Sequence, residues 1–193
     1  MKKTLILAAI SVAIFGLMST TTAQAQVQQG AFIATPFVNY FSFSNKRHLK
    51  NAGGYGLELG YATNPNIEVA VNIGTTNPRQ KDAPKKNNRV MQYGLNGYYY
   101  FGPYKQRLQP FLTGGVGIWN FSRNTDNSPA TQTNLNVGAG LAIFMVQNIS
   151  LNVGAKYFYT VTNGGRNDFN VNAGVSFFFG GHSADAGDPR LRS

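Results

Sequence analysis

His48 and His182 are the only imidazoles in the chain, and there is no cysteine. Hydrolysis of the Ser–His kind needs an imidazole beside a hydroxyl and a third group to orient it. His48 lies in a polar stretch and His182 near the C-terminal end, and nothing in sequence orients either. A metal centre needs His, Cys, Asp or Glu clustered at ligand spacing, and no such cluster occurs. Enzyme chemistry, a metal and a cofactor are therefore not expected. The other ionisable groups that stand out form two sets. Glu58, Glu68 and Lys156 each stand alone inside segments of uncharged, alternating residues. Lys46, Arg47, Lys50, Arg79, Lys81, Lys85, Lys86 and Arg89 crowd two polar stretches, opposed there only by Asp82. The first set suits ion pairing; the second suits anion binding.

The segments that must position these groups have a period of two. Tyr55, Leu57, Leu59 and Tyr61 alternate with Gly54, Gly56, Glu58 and Gly60. Ile67, Val69, Val71 and Ile73 alternate with Glu68, Ala70, Asn72 and Gly74. The same scheme recurs over 91–99, 134–143, 149–157 and 169–179. Two further segments, about 31–43 and 108–121, are less regular. The first has apolar residues on both faces and contains Pro36; the second contains Pro110 and Gly114-Gly115. Their faces cannot be assigned from the pattern. The total is eight strands. Their connections alternate between short (64–66, 102–107, 145–148) and long and polar (44–52, 75–88, 122–133, 160–168).

Charged residues make up 12% of the chain, about half the usual quarter. Each regular strand has one apolar face and one of Gly, Asn, Ser and Gln. Too few charges exist to make the polar face a water-facing exterior. It fits a narrow interior, with the apolar face turned to lipid. A closed barrel satisfies every backbone group without water, as hydrocarbon requires. The fold expected is all-β: an eight-stranded antiparallel up-and-down transmembrane barrel over residues 26–180. Ahead of it, Met1-Lys2-Lys3, the apolar run from Leu5 to Met18, and Ala23-Gln24-Ala25 read as a signal peptide cleaved after Ala25. A polar tail, 181–193, follows. Export through the Sec pathway and residence in the outer membrane of a Gram-negative bacterium follow from these features.

Inward placement of Glu58, Glu68 and Lys156 is expected, since Lys at the bilayer midplane costs about 2–4 kcal/mol. Strand heights at about 3.3 Å per residue bring Lys156 level with Glu58, so these two are expected to pair. Glu68 lies nearer the periplasmic mouth. The basic stretches fall in the first two external loops, at the height of lipopolysaccharide phosphates. Nucleic acid is a poor partner for a surface in that place. Aromatics near strand ends, among them Tyr98 to Phe101, Phe177 to Phe179, Phe41, Phe43, Tyr55, Trp119, Tyr157 and Tyr159, are expected to form two interfacial girdles.

The run Gly-Leu-Glu-Leu-Gly-Tyr at 56–61, Pro110-Phe111-Leu112 leading into Gly114-Gly115-Val116-Gly117, and Asn136-Val137-Gly138-Ala139-Gly140 resemble, in order and spacing, the second, fifth and sixth strands of the outer membrane protein A barrel family. The resemblance covers nearly all of the chain after the leader. It implies a monomeric structural barrel with ion pairs that block or gate the lumen. It also implies periplasmic chaperones and recognition of the last strand by the barrel-assembly machinery. Asn172, Gly174, Phe177 and Phe179 fill that recognition pattern, although residues 180–193 follow. The tail is too short for the peptidoglycan-binding domain of many relatives, so wall tethering is not carried over. Three functions stay open: a structural barrel presenting basic loops to lipopolysaccharide or host surfaces, a narrow ion or solute channel, and, least favoured, a lipid-modifying enzyme.

Overall fold

The computed structural model describes residues 27, 29–81, 88–101, 107–122, 130–162 and 165–181. The strands are β1 (Phe32–Ser42), β2 (Ala52–Asn64), β3 (Ile67–Thr76), β4 (Val90–Tyr100), β5 (Leu108–Phe121), β6 (Thr131–Val146), β7 (Ile149–Thr160) and β8 (Arg166–Phe179). Each pairs antiparallel with the next, and β1 closes on β8, giving an eight-stranded barrel. The leader expected over 1–25, and the tail beyond Gly181, lie outside the described residues.

Alternation decides what each wall residue faces. Leu57, Leu59, Val71, Leu95, Val116, Val137 and Val171 are exposed on the outside. Glu58, Asn72, Asn96, Asn136 and Lys156 turn inward and line interior cavities. β1 turns Ile33, Thr35, Asn39 and Phe41 inward and Pro36 outward, and β5 turns Gln109, Phe111, Thr113 and Trp119 inward.

Pro36 sits at the closing seam. The β1–β8 register runs to Ala34↔Phe177 and resumes at Phe37↔Gly174, so the ladder lapses where proline lacks its N–H. A side-chain bond fills the gap, Thr35 Oγ1 lying 2.6 Å from Ser176 Oγ. Gly174 belongs to the same seam, for a Cβ there would come within 2.9 Å of the Pro36 carbonyl.

The interior has three layers. At the periplasmic end Val27, Ala31, Ile33, Tyr100, Phe144 and Phe178 pack together. At the external end Phe41, Phe43, Leu49, Trp119, Phe121 and Phe158 do the same. Between them lies a polar layer with a cavity of about 60 Å³. Inward glycines make room for rings that cross the lumen. Phe37 lies against Gly56 and Gly74, and Phe111 against Gly140 and Gly154.

Several strand-end aromatics therefore differ from the girdle expectation. Tyr55, Tyr157, Tyr159, Phe177 and Phe179 do face outward, but Phe41, Phe43, Trp119, Tyr98, Tyr100 and Phe178 are buried inside. Height along the strand predicted their level. Only the face, set by alternation, decides between lipid and lumen.

Candidate functional site

Lys156 on β7 stands opposite Gly138 on β6. A Cβ at Gly138 would come within 2.8 Å of Lys156 Cγ, so the glycine lets the lysine lie across its neighbouring strand. The ammonium donates to Tyr98 Oη at 2.9 Å and lies 5.0 Å from that ring's centroid. Tyr98 on β4 in turn donates to the Glu58 carboxylate, at 2.8 and 2.9 Å from its two oxygens. Asn96 adds a bond to Glu58 at 3.2 Å, and is itself held by Asn72 and Asn136. The direct Lys156–Glu58 pair expected from strand heights is not formed. A phenol from a third strand stands between the two charges and completes the circuit. Glu68 lies apart, accepting from Tyr100 Oη at 2.6 Å. Gly60 provides its space, for a Cβ there would run into the carboxylate.

The ion pair that spans the external mouth involves other residues. After β1 the chain makes a short 3₁₀ turn, Asn45–Arg47, and drops Arg47 into the barrel. Arg47 is 2% exposed and Asp168 1%. Arg47 Nε donates to both oxygens of Asp168 at 3.0 and 2.9 Å, and Nη2 lies 2.8 Å from Oδ2. Nη1 donates to Gln132 at 2.7 Å and Nη2 to Thr160 at 2.6 Å. The guanidinium carbon sits 5.2 Å from the Trp119 ring and 5.3 Å from Phe121. The Ser44 amide also donates to Asp168. Arg47 was expected among the lipopolysaccharide-facing cations; it faces the lumen instead. Asp168 was expected at the end of a loop; it lies on β8, which starts at Arg166. A planar guanidinium satisfies such a site because its fork matches carboxylate and stacks on aromatic faces.

Charge and apolarity are thus sorted across a closed wall. The described acids, Glu58, Glu68 and Asp168, all lie on inward faces, while the belt outside is apolar. Residues 10–177 match the family described as outer membrane protein beta-barrel domain. The chain belongs to that family. Outer membrane porin F of Pseudomonas aeruginosa is 28% identical over 173 residues, which cover 86% of this chain and 49% of the relative. The chain thus spans about half the length of that curated relative. The N-terminal barrel domain of Pseudomonas aeruginosa OprF superposes with a TM-score of 0.60 at 21% identity, covering 79% of this chain and all of that one. Neisserial surface protein A gives a TM-score of 0.62 at 19% identity, covering 78% of this chain and all of that one. The protein is a β-barrel of the Gram-negative outer membrane.

On this family barrel, the described cations of the first two external loops other than Arg47 sit exposed at the external end. Lys46, Lys50, Arg79, Lys81 and Arg89 are exposed, while Lys85 and Lys86 lie outside the described residues. The two loops are joined. Leu49 and Gln80 form an antiparallel bridge, Lys50 N donates to Arg79 O, and Lys81 N donates to His48 O, each at 2.8 Å. His48 belongs to this ribbon, with a left-handed φ of 51° that histidine adopts more readily than bulky or branched residues. His182 lies outside the described residues. On the last strand Asn172 and Gly174 face inward, and Phe177 and Phe179 are 37% and 58% exposed on the outside.

Sequence reasoning missed Tyr98 as the bridge and the Arg47–Asp168 pair. Tyr98 did carry a signal, since alternation put its side chain on the same inward face as Gln92 and Asn96. Arg47 carried none, for a cation among cations in a loop reads as solvated.

Proposed function

We propose that this barrel is a sealed structural element of the outer membrane rather than a diffusion pore or an enzyme. The observation that carries the reading is Arg47, buried in the external mouth and bonded to Asp168, Gln132 and Thr160. Beneath it the Phe41–Trp119–Phe158 layer closes the lumen, and a second apolar layer closes the periplasmic end. Eight strands enclose a space that side chains can fill, and here aromatic rings do so. The barrel works as a monomer, without metal, cofactor or nucleic acid. Its outer cations meet lipopolysaccharide phosphates. During biogenesis it is escorted by periplasmic chaperones, and the Asn172–Gly174–Phe177–Phe179 strand is read by the barrel-assembly machinery.

A narrow channel is the second reading. The polar layer around Glu58 and Lys156 favours it, as does the porin name of the Pseudomonas relative. Liposome swelling separates the two. Vesicles holding the refolded mature chain should swell in small sugars no faster than empty ones. Sugar-dependent swelling would establish the channel instead.

A further inference from the structure

The ribbon between the first two external loops has two sides. Arg47, Leu49 and Gln80 are buried beneath it, while Lys46, His48, Lys50, Arg79 and Lys81 are exposed above. The Leu49↔Gln80 bridge fixes which residues stand side by side. Lys50 falls opposite Arg79 and His48 opposite Lys81, as the flanking bonds Lys50 N to Arg79 O and Lys81 N to His48 O require. Directly opposed residues on an antiparallel pair have Cβ atoms about 5 Å apart, and like charges there repel. Among the described residues Lys81 Nζ donates to a neutral partner, Asn45 Oδ1 at 2.9 Å. No described acid offsets this surface, because Glu58, Glu68 and Asp168 all face the lumen. Leu49 and Gln80, buried and bridged beneath, fix the backbone from which these cations rise side by side.

We propose that this ribbon is a binding site for phosphate groups of lipopolysaccharide, with Lys50 and Arg79 as the central pair and Lys46 and Lys81 beside them. One phosphate oxygen set can bridge two cations at this spacing and remove their repulsion. The lipid source is favoured by height. Lys46 and Lys50 lie within a few residues of the ends of β1 and β2, just above the outward-facing Tyr40 and Tyr55. Aromatic rings of that kind mark the headgroup level, where lipid phosphates sit and free phosphate has no reason to concentrate. The inference rests on the lipopolysaccharide reading above and names its residues.

The test uses the refolded mature chain in uncharged micelles, titrated with lipopolysaccharide, with the same lipopolysaccharide stripped of phosphate, and with pyrophosphate. Lys50→Gln with Arg79→Gln should weaken lipopolysaccharide binding by about ten-fold or more. Without lipid the same double variant should unfold at higher urea than the parent, because the repulsion is gone; lipopolysaccharide should reverse that order. Arg107→Gln, which removes one exposed charge at the opposite end of the barrel, beside Phe144, should bind within about three-fold of the parent. Equal binding of stripped lipid, or pyrophosphate binding as tight as the whole lipid, would overturn the proposal. If the double variant binds like the parent, the ribbon is not the site and other loop residues carry the lipid. If the parent itself fails to bind, the broader reading falls with it.

Discussion

Replacing Arg47 with alanine removes the cation buried in the external mouth. Asp168, 1% exposed, keeps the Ser44 amide and loses its guanidinium. Gln132 and Thr160 each lose a bond to Arg47, and Trp119 and Phe121 lose the cation stacked on them. Breaking a buried pair by removing one partner costs roughly 3–5 kcal/mol. The Ser44 amide still donates to the stranded carboxylate, so the low end, about 3 kcal/mol, is expected. The assay is equilibrium urea unfolding of the refolded barrel in lipid vesicles, read by loss of its unboiled gel mobility. Arg47→Met combined with Asp168→Leu removes both charges and should recover most of the loss, because no uncompensated charge remains. Two results would refute the reasoning. One is an Arg47→Ala loss below about 1 kcal/mol, the value of a surface pair. The other is a double variant no better than the single.

Tyr98→Phe deletes the hydroxyl that joins Lys156 to Glu58 and should cost about 1–3 kcal/mol in the same urea assay; adding Lys156→Met and Glu58→Gln should restore part of it. Gly138→Ala places a Cβ against Lys156 Cγ and the Ala155 carbonyl and should lower stability by about 1–3 kcal/mol, a loss that Lys156→Ala should relieve only in part because the backbone contact stays. Phe177→Ser with Phe179→Ser should block assembly in cells while the purified chain still refolds in detergent, as fractionation and gel mobility will report. Gly174→Ala should impair both, because its Cβ would press on the Pro36 carbonyl at the seam.

Much of this was legible from residue order. β2, β3, β6, β7 and β8 show clean alternation, and the structure gives them the faces that pattern implied. β1 and β5 hid their faces for a physical reason. Their inward residues include Phe37, Phe41, Phe111 and Trp119, the large rings that fill the lumen against glycines on neighbouring strands. Apolar groups then lie on both sides of the strand, and hydrophobicity no longer separates lipid from interior. The glycines around Glu58 were visible as a motif, but their purpose was not. Gly56 accommodates the Phe37 ring and Gly60 the Glu68 carboxylate, both contributed by other strands. Arg47 was misplaced because its environment is built from β5, β6, β7 and β8, 72 or more positions away for Trp119, and loop composition cannot report such partners.

A lumen closed at both ends is tested most directly by single-channel recording in planar bilayers. The refolded mature chain should show no steady ion conductance at moderate voltage, whereas Arg47→Ala with Phe41→Ala and Trp119→Ala, which empties the external layer, should admit brief openings. Long-lived ohmic channels from the unaltered chain would contradict a sealed barrel.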